Sequence, residues 1–464
     1  MSILETDICI IGGGSGGLSV AAGAVQMGAR VVLVEGHKMG GDCLNYGCVP
    51  SKALLSQAKA AKARGGAAKG DFAAAMGHVA NTIATIAPHD SVERFAGLGV
   101  QVIEGWASFT DAQTVQVDGG PTIRARRFVI ATGSSAFVPP IPGLESVPHL
   151  TNDTIFAQTQ CPGHLLIIGA GPIGLEMAQA HARLGARVTV IEGARAMGRD
   201  DPEAAAVVLA QLRSEGVEII ENAKVEKVAG HLGAIEVQVA GGTIFTGTHL
   251  LIAVGRKPNL ERLNLKAAGI THDRAAIKVD AGLRTTNRRV YAIGDVAGHG
   301  QFTHLAGYHA GIVIRSAVLG LPAKARHDHI PYVTYTEPEL AQIGLTEAQA
   351  RAKFGAQLSV HKVGFDGNDR AQAEGRVAGF AKLMAVAGRP VGVTIVGAQA
   401  GEVIAPYAVA MANNLKLSAI SATVLPYPTL AEIGKRAAGA YFSPKLFDNP
   451  TLKRVVRLVQ AWLP

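Results

Sequence analysis

The 464-residue chain is poor in charged residues, in aromatic residues and in cysteine. Charged residues make up 17% of it and apolar residues 48%, so it lacks the low hydrophobicity and high charge that keep a chain disordered. Four cysteines in this length exclude the disulfide framework of a small secreted protein. No uninterrupted apolar run reaches about 18 residues, so no membrane-spanning helix is predicted. The first residues carry no signal-peptide pattern, and we expect a cytoplasmic protein.

Charge, aromatic content and glycine content narrow the class of ligand. The net charge of +8 favours small anionic ligands. Aromatic residues are only 5% of the chain and no basic run is interleaved with them, so we predict no nucleic-acid binding. Glycine is in excess, with 56 residues in a chain where ~7% is usual. Turns and close approach of the backbone to a ligand must account for that excess.

A glycine-rich motif follows the first apolar run, at residues 7–11, and precedes a small-residue helix. Gly12 permits a tight turn, Gly14 lets the backbone approach a pyrophosphate, and Gly17 lets helix and strand pack closely. A second apolar run then ends at Glu35, whose carboxylate can accept hydrogen bonds from ribose hydroxyls. This order predicts a βαβ unit that binds a dinucleotide.

The same motif recurs later in the chain. Gly169, Gly171 and Gly174 follow the apolar run 165–168, and the next predicted strand ends at Glu192. The acid lies 23 positions after the first glycine in both copies, which argues against glycines that serve packing alone. Two dinucleotide sites in one chain predict two redox cofactors that pass a hydride between them.

Three further apolar runs end in glycine or in an acid. Gly133 ends an Ala-Thr-Gly sequence, Gly255 ends Ala-Val-Gly, and Asp295 follows Gly294. The carboxyl ends of strands are where open α/β sheets bind ligands, so these residues are candidate cofactor contacts. For Asp295 the alternative is a helix or turn cap.

Cys43 and Cys48 lie five positions apart. This spacing fits no common zinc site and no second pair completes a tetrahedral one, so we predict no metal site and favour a redox-active dithiol. In a regular helix their Cα atoms would be about 8–9 Å apart, whereas a disulfide needs less than about 7 Å. The turn must therefore be distorted, which Gly47 would allow. Cys9 and Cys161 are expected to be unpaired bystanders.

The Gly-Asp-Cys-Leu-Asn-Tyr-Gly-Cys-Val-Pro-Ser-Lys run at 41–52, with the two glycine motifs, Ala-Thr-Gly at 131–133 and Ile-Gly-Asp at 293–295, resembles the flavin-dependent pyridine nucleotide-disulfide oxidoreductases. That family includes dihydrolipoamide dehydrogenase, glutathione reductase and mercuric reductase. The segments 335–339 and 344–347 are similar to the opening of the family's dimerisation domain. The resemblance implies an α/β fold with two Rossmann-like dinucleotide-binding domains, an α+β C-terminal dimerisation domain, and a homodimer.

Domain boundaries follow from the same resemblance. It implies an FAD-binding domain in two pieces, at 1–148 and 278–325. An NAD(P)-binding domain would occupy 149–277, and the dimerisation domain, with an amphipathic tail, would occupy 326–464.

The resemblance also implies a role for each matching residue. FAD would bind at Gly12, Gly14, Gly17, Glu35, Lys52, Gly133 and Asp295, and the nicotinamide dinucleotide at Gly169, Gly171, Gly174 and Glu192, with Gly255 at a cofactor edge. Cys48 would be the thiol that forms a charge-transfer complex with the flavin, and Cys43 the thiol that meets substrate. Lys52 and Glu176 would pair near the flavin, where a positive charge favours the reduced, anionic ring.

One position departs from the disulfide reductases. They have a His before Pro-Thr as acid/base, with a Glu five positions later, and this chain has Tyr427 and Glu432. A phenol with a pKa near ~10 is ionised at only about one part in a thousand at pH 7, so it is a poor general base. His304 and His309 are weaker candidates to supply a proton. Mercuric reductases also have Tyr here, but their vicinal C-terminal cysteine pair has no counterpart in this sequence.

Three functions remain open at this point. The first is an FAD-dependent NAD(P)H oxidoreductase that passes electrons through Cys43 and Cys48 to a small-molecule or lipoyl-carrier disulfide. The second is reduction of a metal ion, as in mercuric reductase, and the third is a slow redox sensor or lipoyl-carrier-binding flavoprotein. Glu192 would repel a 2′-phosphate and favours NADH. Pairing of that phosphate with Arg195 or Arg199 would instead allow NADPH.

The tail from 443 to 464 predicts an amphipathic helix. One face carries Leu452, Val455, Val456, Val459 and Trp462, with Lys453, Arg454 and Arg457 elsewhere. Packing onto the dimer is the simpler interpretation, and contact with a membrane surface is the alternative.

Overall fold

The computed structural model describes residues 3–463, which form two compact units. Unit 1 contains the described residues up to Ala194 together with Val217–His327. Unit 2 contains Arg195–Gly216 and the described residues from Asp328 onward.

The strands are short and numerous. In chain order they are β1 (Ile3–Ile11), β2 (Val31–Glu35), β3 (Gln101–Glu104), β4 (Ala107–Asp111), β5 (Thr114–Val117), β6 (Thr122–Ile130), β7 (Ser134–Ala136), β8 (His164–Ile168), β9 (Arg187–Ile191), β10 (Glu218–Ile220), β11 (Val225–His231), β12 (Ala234–Val239), β13 (Ile244–Gly247), β14 (His249–Ile252), β15 (Arg256–Pro258), β16 (Val290–Ala292), β17 (Pro331–Thr334), β18 (Glu339–Gly344), β19 (Ser359–Gly364), β20 (Phe380–Val386) and β21 (Arg389–Gly397).

The α-helices connect and cover these strands. They are α1 (Ser15–Gln26), α2 (Gly41–Asn45), α3 (Cys48–Ala63), α4 (Asp71–Ile86), α5 (Val92–Gly97), α6 (Asn152–Ile155), α7 (Pro172–Arg183), α8 (Pro202–Ser214), α9 (Thr303–Val313), α10 (Glu347–Phe354), α11 (Asp369–Ala373), α12 (Ala400–Val403), α13 (Ala405–Ala412), α14 (Leu417–Ala422), α15 (Glu432–Phe447) and α16 (Pro450–Trp462). Within residues 3–463, no helix is both long enough and apolar enough to cross a membrane.

The first sheet of unit 1 has the strand order β3-β2-β1-β6-β5-β4, and β16 also pairs with β6. Its pairs β1–β2, β1–β6, β2–β3 and β6–β16 are parallel. Cys9 and Ile11 of β1 pack into one core, whereas Ile8 and Ile10 pack into the core on the opposite face. Burial on both faces explains why the last four residues of β1, at 8–11, form a continuous apolar run, as predicted.

The second sheet of unit 1 has the order β10-β9-β8-β14 and is parallel throughout. Its β8-α7-β9 segment repeats the β1-α1-β2 segment of the first sheet, so the predicted α/β fold with two Rossmann-like units is confirmed. An antiparallel β11-β12-β13 sheet and a β7–β15 pair complete the unit.

Two features of the chain path can be compared with the predicted domain boundaries, which they do not test directly. Strand β16 rejoins the first sheet after the second sheet is complete. Residues 195–216, placed by the sequence in the NAD(P)-binding domain, group with unit 2.

Unit 2 has an antiparallel sheet in the order β17-β18-β21-β20-β19. Lys382 on β20 is 2% exposed, and its Nζ lies 2.9 Å from carboxylate oxygens of Asp201, Glu203 and Glu347. Three acids around one ammonium compensate the cost of burying its charge.

Candidate active site

The two glycine motifs adopt matching backbone geometry. Gly12 has φ +111° and Gly169 has φ +108°. A Cβ on Gly17 would lie 1.9 Å from the Gly12 carbonyl oxygen, and a Cβ on Gly174 would lie 2.0 Å from that of Gly169. Any side chain at the third glycine would push helix and strand apart, which is the packing role that the sequence predicts.

In each motif, the glutamate at the end of the second strand holds the neighbouring loops through backbone hydrogen bonds. Glu35 accepts hydrogen bonds from the backbone N–H of Gly13 at 2.5 Å and of His37 at 2.7 Å. Glu192 accepts from Ala170 at 2.9 Å and from Ala194 at 3.0 Å. The sequence suggested only ribose binding for these acids, and the structure adds that both of them hold the loop. A carboxylate has about four lone-pair sites, so each retains acceptor capacity for a ribose hydroxyl.

The ends of further strands meet near Asp295. Gly133 and Gly255 have positive φ values, and no atom lies within 4 Å of a Cβ built on either residue. The Asp295 carboxylate accepts a hydrogen bond from the Ser134 hydroxyl. Burial raises the pKa of Asp295 above its usual value.

An arginine that the sequence reading did not single out links this region to the cysteine segment. Arg256 Nη2 lies 2.9 Å from Asp42 Oδ1, and its Nε donates to Ser134 Oγ at 2.8 Å. Asn152 also donates to Asp42 Oδ1, at 2.9 Å. The only local sequence signal was the Gly-Arg-Lys-Pro-Asn run after β14.

The two cysteines lie on different helices. Cys43 belongs to α2 and Cys48 is the first residue of α3, so the predicted interruption between them is confirmed. Gly47 has φ −124°, which is not the left-handed conformation. A Cβ there would instead lie 2.9 Å from Asp42 Oδ2 and 3.1 Å from the Asp42 carbonyl oxygen, so a side chain at this position would force Asp42 to shift.

The thiols are unbridged in this structure, and their pKa values move in opposite directions. A hydrogen bond from Cys43 lowers the pKa of Cys48 to about 6, with further contributions from the Thr303 hydroxyl and the Lys52 charge. The same hydrogen bond and burial raise the pKa of Cys43. Thr303 Oγ1 lies 3.4 Å from Cys48 Sγ. Cys48 also starts a 16-residue helix, whose N-terminal partial charge favours a thiolate.

Lys52 and Glu176 form the pair that the sequence predicts. Lys52 Nζ lies 2.8 Å from Glu176 Oε2, which joins α3 to α7. The Glu176 side chain is only 6% exposed, whereas that of Lys52 is 36% exposed. The Lys52 charge lowers the pKa of Cys48, whereas the charge of its partner Glu176 raises it.

The remaining cysteines and histidines have other surroundings. Cys9 is fully buried in β1, and burial raises the pKa values of both Cys9 and Cys161. His309 is also buried, and its Nδ1 accepts the Gly294 N–H at 3.2 Å. Burial lowers the pKa of His309 to about 3, so it is a neutral packing residue at pH 7. His304 is exposed, and its ring stacks on that of Phe302.

In unit 2, Tyr427 meets an acid that the sequence did not reveal. The Tyr427 hydroxyl donates to Asp369 Oδ2 at 2.7 Å, while the side chain stays 70% exposed. This hydrogen bond raises the pKa of Tyr427, which weakens it further as a base. Glu432 Oε2 accepts the Thr429 N–H at 3.4 Å. No cluster of three or more His, Cys, Asp or Glu side chains among residues 3–463 is arranged to hold a metal ion.

Comparison with known families identifies the protein family of this chain. Residues 6–310 match the model of the pyridine nucleotide-disulphide oxidoreductases, and residues 330–438 match the model of their dimerisation domain. The chain belongs to this family. As a pyridine nucleotide-disulphide oxidoreductase it uses FAD and NAD(P)H, and its dimerisation domain supports a homodimer.

Relatives include enzymes with different acceptors. The mercuric reductase of Bacillus cereus is 35% identical over 449 residues, 92% of this chain and 70% of that protein. The dihydrolipoyl dehydrogenase of Geobacillus stearothermophilus is 33% identical, over 94% of this chain and 96% of its own. The HOCl-induced flavoprotein disulfide reductase RclA of Escherichia coli, solved as its Cu(II) complex, has a TM-score of 0.85 at 29% identity, covering 95% of this chain and 99% of that chain.

The glycine loops fit the family's cofactors. No atom lies within 4 Å of a Cβ built on Gly171, and the nearest atom to one built on Gly14 is the Gly41 Cα at 3.7 Å. Both glycines directly precede 12-residue helices, α1 and α7. Open space at a helix N-terminus is where backbone N–H groups bind a pyrophosphate.

Proposed function

We propose that this oxidoreductase reduces a thiophilic metal ion with electrons from NADH, through FAD and the dithiol of Cys43 and Cys48. FAD held at the first glycine loop would supply the transfer of an electron pair from the nicotinamide to the cysteine disulfide. The observation that carries the choice of acceptor is the Tyr427 hydroxyl, which donates to Asp369 and has a raised pKa.

Proton requirements separate the two kinds of acceptor. Reduction of a disulfide releases two thiolates that must be protonated, and the family's disulfide reductases use a His for this purpose. Tyr427, with its pKa raised, is a weak acid and a weak base near pH 7. A metal ion held by two thiolates takes the electron pair while the cysteine disulfide re-forms, and no proton reaches the acceptor. One Hg(II) ion, or two Cu(II) ions reduced to Cu(I), would consume that pair.

Relatives support the same choice. The Bacillus cereus relative is named a mercuric reductase, and RclA has been solved with Cu(II). In this chain Cys43, the thiol that would meet the acceptor, is only half-buried. Tyr427 would act from the partner subunit as a hydrogen-bond donor or ion contact, with Glu432 and Asp369 positioning its segment.

The cysteines and Lys52 have distinct proposed roles. Cys48 is the thiolate nearest the flavin, stabilised by the contacts that lower its pKa. Cys43 meets the acceptor, and Lys52, held by Glu176, provides positive charge at the flavin. For FAD we assign Gly12, Gly14, Gly17, Glu35, Gly133 and Asp295, and for the nicotinamide dinucleotide Gly169, Gly171, Gly174, Glu192 and Gly255.

The preference for NADH rests on Glu192. Two backbone N–H groups fix its carboxylate beside the second glycine loop. There it would accept from a ribose 2′-hydroxyl and repel a 2′-phosphate. Glu192→Ala should lower the NADH over NADPH ratio of kcat/KM, and an unchanged ratio would refute this role.

The acceptor is tested by comparing the wild type with Tyr427→His. We expect the wild type to reduce Hg(II) or Cu(II) faster than lipoamide or glutathione disulfide. Tyr427→His should raise disulfide turnover by about 10- to 100-fold, the usual range for a positioned acid/base being ~10² to 10⁴. Its metal-ion turnover should change less than twofold. Fast disulfide turnover in the wild type, unaltered by the substitution, would favour the dihydrolipoyl dehydrogenase type of function.

A third outcome bears on the sensor hypothesis. Slow turnover with every acceptor, combined with tight binding of a lipoyl-carrier protein, would replace the reductase proposal by a redox sensor. The His variant makes this outcome distinct, because a sensor that lacks only the base should become an active disulfide reductase when the base is supplied.

A further inference from the structure

The last helix of unit 2, α16, begins with two residues that favour a helix start. Asn449 caps it by accepting the backbone N–H groups of Thr451 at 3.0 Å and Leu452 at 3.1 Å. Pro450 occupies the first helical position, where its missing N–H leaves no hydrogen bond unmade. These two residues begin a 13-residue helix just beyond the match to the dimerisation domain, which ends at 438.

This helix has no buried residue. Every residue from Pro444 to Leu463 is exposed. Its large apolar side chains are among the most exposed of unit 2, with Leu458 at 62% and Trp462 at 84%. A single helix shorter than about 12–15 residues is marginal in water, so α16 gains most of its stability from whatever covers its apolar face.

The side chains of α16 divide into two faces. At 100° per residue, the apolar residues fall within an arc of about 160°. They are Leu452, Val455, Val456, Leu458, Val459, Trp462 and the following Leu463. Lys453 and Arg454 flank this arc on its two sides, and Arg457 lies opposite it. No acidic residue occurs between Asn449 and Leu463.

We propose that α16 is a peripheral anchor that lies in the surface of a bilayer containing anionic phospholipids. An apolar face with Trp and Leu, flanked by Lys and Arg, matches the boundary between acyl chains and negatively charged headgroups. Lys453 and Arg454 can lay their methylene stems along the apolar side while their charges reach the lipid phosphates.

The charge pattern favours lipid over a second copy of this helix. Paired copies of α16 would bring Lys453 and Arg454 of both copies to the flanks of one seam. Neither helix carries an acid to pair with them, whereas coiled-coil flanks normally carry opposite charges. A homodimer also presents two such anchors, and two linked weak contacts bind a surface much more tightly than one.

The test uses the full-length holoenzyme and sedimentation with vesicles. One set of vesicles is phosphatidylcholine alone, and the other contains about one third phosphatidylglycerol. We expect co-sedimentation with the anionic vesicles only, with release at high salt because surface charge attraction is screened. In a Trp106→Phe background, Trp462 is the only tryptophan, and its emission should shift to the blue on binding.

Matched variants separate the apolar face from general surface effects. Val455→Asp with Val459→Asp, or charge reversal at Lys453, Arg454 and Arg457, should weaken anionic-vesicle binding at least tenfold. Leu232→Asp and Lys227→Glu change similarly exposed residues of unit 1 and should leave it unaltered. NADH oxidation without vesicles should be the same for all of these variants, which shows that the fold is intact.

Three results would overturn the proposal. The first is equal binding of the wild type and the α16 variants, and the second is equal binding to neutral and anionic vesicles. The third is conversion of the dimer to monomers by the two Val→Asp changes, which would show that a second copy covers this face.

Discussion

The thiol site of unit 1 and the Tyr427 segment of unit 2 differ in how far their functional groups are surrounded by contacts from the same chain. In unit 1, Cys48 contacts Thr303 and is influenced by Cys43 and Lys52, all within one chain. In unit 2, Tyr427 donates to Asp369 from a side chain that is 70% exposed. In the proposed reaction the reducing half would therefore be set by contacts inside one subunit, whereas the acceptor half would depend on what Tyr427 faces in the homodimer.

Removing either thiol should have the largest effect on turnover, and it tests the thiol site of unit 1. Cys43→Ser and Cys48→Ser should each lower acceptor turnover by on the order of 10³-fold or more, as expected when a nucleophile is removed. Steady-state NADH oxidation with each acceptor measures this loss. Cys161→Ser is the matched control and should keep wild-type turnover, because Cys161 lies outside the site. A Cys43→Ser enzyme that retains turnover would contradict the assigned roles.

Removing the Lys52 charge should have the next largest effect. Lys52→Met removes the ion pair with Glu176 and the positive charge that we propose lies at the flavin edge. We expect flavin reduction by NADH to slow about 10- to 100-fold, a smaller loss than the ~10² to 10³ found for oxyanion-hole donors. Stopped-flow absorbance measures this rate. Lys69→Met, at an exposed loop position, should leave it unchanged, and equal rates in both variants would refute the electrostatic role.

Thr303→Val should have the smallest effect and sharpens the account of the thiolate. The wild-type pKa of Cys48 is lowered to about 6, so its thiolate persists at pH 7 and is lost as the pH falls through that value. Thr303 contributes one of the hydrogen bonds that lower this pKa, so the variant should titrate at higher pH. Spectral titration of the two-electron-reduced enzyme measures the midpoint. A midpoint that stays the same or moves to lower pH would show that Thr303 does not stabilise the thiolate.

Local patterns predicted the parts of the site that lie near one another in the sequence. The two glycine motifs, the interrupted helix between the cysteines and the Lys52–Glu176 pair all occur in the structure. The Lys52–Glu176 pair was predicted from the family resemblance and not from a local pattern, because 124 positions separate the two residues.

Contacts without a motif were not predicted. Thr303 is 255 positions from Cys48, and Asp369 is 58 positions from Tyr427. Arg256 reaches Ser134 across 122 positions. Helical or strand periodicity describes only neighbours within a few residues, so folding alone brings such pairs together. The reason for Gly47 was also hidden, because close approach to Asp42 depends on how α2 meets α3.

The central claim, that electrons pass from the flavin to the acceptor through Cys48, is tested most directly by anaerobic titration with NADH. The account predicts a long-wavelength charge-transfer band in the wild type after one equivalent of NADH. Cys43→Ser should show the band before NADH is added, because its Cys48 cannot form a disulfide, and should lose it as NADH reduces the flavin, whereas Cys48→Ser should lack the band throughout. No band in the wild type, or a band of equal strength in Cys48→Ser, would contradict it.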